Sequence, residues 1–383
     1  MFGCSLTISV KKADYGKALV LSAVLTVAAT VPLFPVKASS INKFWAVIII
    51  GNSPADRNAF RLNDILSTYY DVDEVDGPLY CSKEMARAEI TEWLASRSDY
   101  GDLVLIFFTC HGVGYDIKTG EINGRIDVDG DEGPEIYNAS SSEWFGVDEG
   151  LVMYDNQIYW DDELKEDLKS VKYGRLIVLV EACKLENSTD GLSCYCGGLI
   201  DDISGPRRII VTATNETTSA YLEDVTRRGW FFKFFVEALN PETHFDEADT
   251  DGDGAVSILE AFYFAVQHDP VGPCGLRWET PWLDDDGDRL PTFKYGQDWI
   301  DSEGYYLAAQ TWLNKTMYSG NVADIDNDYR VDGIDVWIVS SHFGGICNPY
   351  ANEKWYPLAD VNYDNIIDGI DMWIVAKNFG WQK

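Results

Sequence analysis

Four stretches of this chain are apolar without a break, while the segments between them are apolar on one side only. The unbroken runs are Trp45-Ala46-Val47-Ile48-Ile49-Ile50, Val104-Leu105-Ile106-Phe107-Phe108-Thr109-Cys110, Leu176-Ile177-Val178-Leu179-Val180 and Ile209-Ile210-Val211-Thr212-Ala213-Thr214. Runs of that length predict strands buried on both faces, as in a parallel sheet. Between them, residues 57–70, 83–97, 160–170 and 230–239 space their apolar positions as helices do. Strand and helix alternate from Ile41 to about Leu313, which predicts a parallel α/β sandwich. A polar stretch over residues 116–150 interrupts the alternation and is long enough to be a flap or a processed loop.

Two of the runs end on reactive side chains. The second leads into His111-Gly112, and the third into Glu181-Ala182-Cys183. In open parallel sheets the carboxyl ends of the strands line the active crevice, so a His and a Cys are expected at neighbouring strand tips. A thiol is only partly ionised at neutral pH, and an imidazole beside it takes its proton or stabilises the thiolate. Gly112 has no Cβ to obstruct a bound carbonyl. Its N–H, with that of Cys183, suits an oxyanion. The chain has four histidines, and of these only His111 follows a buried-strand pattern and precedes a Gly. Cys110, Cys194 and Cys196 raise a zinc alternative, but Cys-Tyr-Cys lacks the usual two-residue spacing.

With these motifs the chain resembles the legumain-like branch of the caspase-type cysteine peptidases over about residues 44–313. The stretch Trp45 to Gly51 resembles the family's first strand, and Ile209 to Asn215 the strand after the nucleophile. The resemblance implies a caspase-like α/β/α sandwich with a mostly parallel sheet and an endopeptidase working through a thioester acyl-enzyme. It implies Cys183 as nucleophile, His111 as base, and a substrate pocket near Glu181 and Ser219. Legumains carry an Arg-His pair after the first strand. Here the region reads Asn58-Ala59-Phe60-Arg61-Leu62-Asn63-Asp64, with Arg61 as the nearby cation. Cleavage after Asn or Asp and cleavage after Arg or Lys both stay open, as do transpeptidation by the same dyad and a non-catalytic scaffold or adhesion role.

Past a short linker at 314–319 the pattern changes to an internal repeat over residues 320–383. Asp324, Asp326, Asp328, Asp332 and Asp335 fall at loop positions 1, 3, 5, 9 and 12, and Asp360, Asn362, Asp364, Asp368 and Asp371 repeat them. Such spacing wraps oxygens around one calcium ion. An apolar helix follows each loop, and each copy closes on Phe-Gly. The duplication resembles dockerin, a small all-α module with paired calcium loops that docks onto cohesin domains. That implies a cohesin-like or cell-surface scaffold partner. Position 6, usually Gly, is Tyr329 and Asn365. A third loop inside the first domain matches the EF-hand pattern: Asp249, Asp251, Asp253, the Ala255 carbonyl, Ser257 and a bidentate Glu260, with Gly254 at the turn.

The first 38 residues set Lys11, Lys12 and Lys17 before an apolar stretch and end on Val36-Lys37-Ala38. They read as a secretory signal, or else as an uncleaved anchor, the chain's one expected membrane contact. The formal charge of −33 disfavours nucleic acid and anionic lipid. Eight cysteines, with Cys4 in the leader, leave an odd number: one nucleophile and up to three bridges in an oxidising compartment. Asn-x-Ser/Thr sequons at Asn138, Asn187, Asn215 and Asn314 agree with a secreted or cell-surface protein acting on peptide or protein substrates.

Overall fold

A computed structural model describes residues 42–382 apart from 54, 117–120, 123–124, 127–135, 139–142, 146, 183–197, 215–219, 224, 272–278, 286–292, 295–306, 319–322, 327–328, 347–355, 363 and 365. The expected leader, Cys183, Ser219 and Asp328 therefore lie outside the described residues.

The apolar runs form the middle of a nine-stranded mixed sheet. Its parallel part is β1 (Phe44–Ile50), β2 (Glu74–Tyr80), β3 (Leu103–Val113), β6 (Arg175–Ala182) and β7 (Arg208–Thr212), in the order β2-β1-β3-β6-β7. Every residue of β1, β3 and β7 is buried, as unbroken apolar runs require. β8 (Trp282–Asp284) and β9 (Phe293–Lys294) extend the β7 edge antiparallel. The hairpin β4 (Gly150–Val152) and β5 (Ile158–Trp160) pairs with the far end of β3. That end outruns β1: Ile50 pairs with Thr109, and Val152 takes over opposite His111. The polar stretch before the hairpin holds two-stranded ribbons, among them Tyr115–Asp116 with Glu121–Ile122 and Ile136–Asn138 with Glu143–Phe145.

Helices cover both faces. α1 (Arg57–Tyr69) buries Asn58, Ala59, Leu62, Ile65 and Leu66, an i, i+4, i+7 stripe. The next helix begins as α2 (Lys83–Ala88), capped by Ser82, and runs through a π turn over Glu89–Leu94 into Ala95–Arg97. α3 (Asp161–Leu168) packs on this turn and on α4 (Leu199–Ile203). α5 (Trp230–Ala238) packs between α1 and α7 (Ile258–His268), and α6 (Phe245–Ala248) touches α5 and α7. The two separate groups make three layers, so the predicted mixed α/β class with a mostly parallel sheet is what the chain adopts.

The repeat folds around its own small core, from Ala323 to Val375. α8 (Gly333–Ser341) and α9 (Gly369–Asn378) each start on an aspartate cap, Asp332 and Asp368. The two copies clasp each other reciprocally. Val331 N–H donates to the Trp381 carbonyl (2.9 Å) and Gly380 N–H to the Val331 carbonyl (2.8 Å). The equivalent Ile367 donates to the Gly345 carbonyl and accepts from Gly344 N–H, both at 2.8 Å. Gly344 and Gly380 make these turns at φ +86°, which explains the recurring Phe-Gly.

The linker is packed. The Tyr318 hydroxyl bonds the Trp312 backbone, and Lys315 pairs with Asp71 and Asp73. Leu358 touches both cores, and Arg207 Nη1 reaches Asp360 Oδ2 at 3.1 Å in a buried ion pair. Cys81 is a buried free thiol. Burial pushes the Cys81 thiol up to about 12, so it stays protonated. No helix among the described residues is long and apolar enough to cross a membrane.

Candidate active site

Strand register sets the geometry. β6 runs parallel to β3 with Glu181 opposite Thr109 and Ala182 opposite Cys110. His111 is the next residue of β3, and Cys183 the next residue of the chain after Ala182. Two adjacent parallel strands thus bring His111 and the Glu181-Ala182 end of β6 to the same sheet end. The His111 N–H donates to the Asn52 carbonyl (2.9 Å), and the side chain keeps 8% exposure. Gly112 faces Leu151 across the hairpin. Gly51 lets β1 close against this end, because a Cβ there would sit 2.5 Å from the Val152 carbonyl oxygen and 2.8 Å from the Cys110 Cβ.

Glu181 is fully buried beneath this end. Its Oε1 accepts from Asn58 Nδ2 (2.6 Å) and from the Gly229 N–H (3.1 Å). Arg228 Nε donates to Asn58 Oδ1 (2.5 Å), and Arg228 Nη1 to Glu237 Oε1 (2.7 Å). Arg61 pairs with the same Glu237, Nη2 to Oε2 at 3.1 Å. So Arg61 reaches Glu181 only through Glu237, Arg228 and Asn58. Burial by itself would raise the Glu237 carboxyl; the Arg61 and Arg228 guanidiniums outweigh it and hold the group at about 2. Glu181 lies on the other side of that balance. Burial pushes it up to about 8, against the Asn58 hydrogen bond and the Arg228 charge. At neutral pH it is mostly a neutral acid.

Asn58, Arg228 and Gly229 were not among the residues expected from the sequence. A signal for Asn58 existed: it occupies the apolar stripe of α1, where an amide needs a buried partner. Nothing local pointed to Arg228 or Gly229.

The buried Glu181 carboxyl makes stability depend on pH. It titrates near 4.5 in the unfolded chain and at about 8 in the fold. Between those limits the folded state binds the extra proton. The stabilisation is complete below about 4.5 and is lost as pH rises through about 8. Glu181→Gln keeps the neutral shape and removes the titration. The variant is expected to gain on the parent by several kcal/mol across that window, since each tenfold change in proton affinity is worth about 1.4 kcal/mol. Urea unfolding at a series of pH values checks this, and parallel stability curves would refute it.

The oxygen-rich loops also take defined shapes. Carboxylate oxygens of Asp249, Asp251 and Asp253 lie within 4.8 Å of one another, and so do those of Asp324, Asp326 and Asp335. Gly252 and Gly254 hold the first loop at φ +74° and +87°. Glu260 does not join the three aspartates. Its Oε1 accepts from Thr250 N–H (2.8 Å), and its Oε2 from Ser257 N–H and Oγ (2.9 Å each), closing the loop and capping α7. In the second loop Tyr329 adopts φ +66° where such loops use Gly, a conformation a bulky side chain rarely takes. In the third, Asp371 accepts from Val361 N–H (2.9 Å) and Asp368 N–H (2.7 Å), and burial pushes it up to about 6. Asn362 Nδ2 donates to Asp364 Oδ2 (2.9 Å), and Asp360 is shared with Arg207. All three loops offer hard oxygen donors, the set that suits a hard divalent cation. In the first two, aspartate oxygens converge closely enough to share one ion.

No family model matches the chain, and no curated protein matches it. Among solved structures, a structural-genomics target protein from Geobacter sulfurreducens is similar at 13% identity and a TM-score of 0.39, covering 63% of this chain and 92% of its own. Caspase-1 from Spodoptera frugiperda is similar at 12% identity and a TM-score of 0.36, covering 66% of this chain and 94% of its own. What the chain's own geometry establishes is a mostly parallel α/β sheet with His111 and the Glu181-Ala182 strand end side by side, the Glu181 carboxyl fully buried.

Proposed function

We propose that this chain is an exported cysteine endopeptidase of the legumain-like, caspase-type class. The observation that supports the reading is the register of β3 and β6, which sets Ala182 opposite Cys110; His111 and Cys183 are the next residues of the chain after these two positions. Cys183 Sγ attacks the substrate carbonyl carbon, and its proton passes to the His111 imidazole. The N–H groups of Gly112 and Cys183 hold the oxyanion. As the C–N bond breaks, His111 returns the proton to the leaving amine and a thioester remains. Water then attacks the thioester, with His111 as base, and releases the thiol and the carboxyl product. The primary substrate pocket is assigned to the neighbourhood of Glu181 and Ser219, with the buried Glu181–Asn58 pair beneath it. Because Glu181 is buried and neutral at pH 7, it offers a shape and a hydrogen bond more than a counter-charge. That favours an uncharged Asn over Arg or Lys. A peptide-library digest by the purified protein tests the reading: an acyloxymethyl-ketone probe should label Cys183 and abolish cleavage, and unlabelled protein that cleaves no peptide, or labelled protein that still cleaves, would reject it.

The loops at 249–260, 324–335 and 360–371 are proposed as calcium sites, and residues 320–383 as a dockerin-like tether to a cohesin-like or cell-surface partner. Bound calcium supplies the positive charge that clustered carboxylates otherwise lack. The support is the convergence of three aspartates in each of the first two loops and the reciprocal clasp of the repeat. Binding to the native state alone stabilises by roughly 2.7 kcal/mol at a hundredfold excess over Kd. A chelator is expected to lower the melting temperature. Glu260→Gln should reduce that response and also cost about 1 kcal/mol in chelator itself, since Glu260 caps α7. Calorimetry checks both. Superimposable parent curves with and without chelator, and no bound calcium by mass spectrometry, would leave the loops as acidic turns.

A further inference from the structure

The two loops of the repeat are not equivalent. In the first copy, Asp324, Asp326 and Asp335 bring carboxylate oxygens within 4.8 Å of one another. In the second copy Asn362 stands where the first has Asp326. Its Nδ2 donates to Asp364 Oδ2 (2.9 Å) and its Oδ1 accepts from the Asp364 N–H (3.0 Å), so both ends of the amide are committed inside the loop. Asp360, the counterpart of Asp324, is committed too. Its Oδ1 accepts from the Asp364 N–H (3.1 Å), and its Oδ2 holds Arg207 Nη1 (3.1 Å). Charge separates the loops as well. The five ligand positions carry five aspartates in the first copy and four in the second, and Arg207 offsets one of those four.

The sheet domain presents Arg207 for this contact. The residue immediately precedes β7, and its carbonyl accepts from the Leu176 N–H of β6 (3.0 Å). Its φ of +56° is a conformation that a side-chain-bearing residue keeps only where its surroundings enforce it. Leu358, two residues before Asp360, packs against both cores beside the pair. The Asp360 carboxylate is wholly covered. A guanidinium suits such a place, being more weakly hydrated than an ammonium. A divalent ion on Asp360 Oδ1 would stand about 5–6 Å from that guanidinium, and like charges so close in a buried setting repel strongly. Arg207 and a divalent ion are therefore poor co-tenants of one carboxylate.

We propose that Arg207 is the resident cation of the loop at 360–371 in the intact chain, and that by sitting there it latches the repeat to the sheet domain. The inference rests on the calcium reading of the loops and adds that the third loop takes up a divalent ion only when Arg207 withdraws. By linkage, calcium at this loop and docking of the repeat then weaken each other by the same factor. Hydrogen exchange of the full-length protein, read by mass spectrometry in calcium and in chelator, tests this. Calcium should slow exchange over 249–260 and 324–335 and leave 360–371 unmoved. In Arg207→Gln, residues 360–371 should slow as well, and native mass spectrometry should count one more calcium than in the parent. Adding Asp360→Asn to that variant should remove the gain. The parent measurement decides the question even where the variant unfolds. A parent whose 360–371 amides slow together with the others would overturn the inference and leave the calcium reading standing. So would a folded Arg207→Gln that gains no ion. A parent in which no loop responds to calcium would reject the calcium reading and this inference together.

Discussion

Cys183→Ala is expected to abolish peptide hydrolysis, and His111→Ala to lower kcat/KM by about 10²–10⁴-fold, the range general acid–base catalysis supplies. The two act on one proton transfer, so the double variant should be no slower than Cys183→Ala alone. Cys110→Ser is the informative control. Cys110 precedes His111 in β3, and successive strand residues point to opposite faces of a sheet. Its side chain is buried and lies where a Cβ on Gly51 would meet it, on the structural side of the sheet end. The serine variant should keep most of the activity and lose some stability. Steady-state rates on a fluorogenic peptide measure all four proteins. Activity in Cys183→Ala, or an essential Cys110 with a dispensable Cys183, would overturn the assignment.

Arg207→Ala is expected to cost about 3–5 kcal/mol, because it leaves a buried charge without its partner. The Arg207 and Asp360 side chains are 5% and 0% exposed, and they join the sheet domain to the repeat. Arg207 also holds φ +56°, which a non-glycine residue adopts only where its surroundings enforce it. In calorimetry the loss should appear as a separate, earlier transition for residues 320–383. Arg207→Ala with Asp360→Asn should recover part of it, since the orphaned charge is then gone. A single unshifted transition in Arg207→Ala would mean that the pair does not couple the two units.

What was legible in the sequence was whatever is written at short range. An unbroken run such as Leu176 to Val180 demands burial on both faces wherever it ends up, so the parallel sheet followed from pattern. Helix stripes, the aspartate spacing and the duplicated Phe-Gly closures are equally local. The network under the candidate site is not. Glu181 meets Asn58 from 123 residues away and Gly229 from 48. Its neutral state comes from burial, a property of the assembled fold that no neighbour in the chain announces. The same distance hid the Arg207–Asp360 pair, 153 residues apart. Distance in the chain likewise hid the Arg61–Glu237 pair, 176 residues apart. By itself the sequence determined the layers, the repeat and the residue types at the strand ends, because hydrophobic periodicity is set residue by residue. Only the tertiary structure decided which polar groups share a partner and which carboxyls keep a proton, because solvation and charge pairing depend on what the fold brings together.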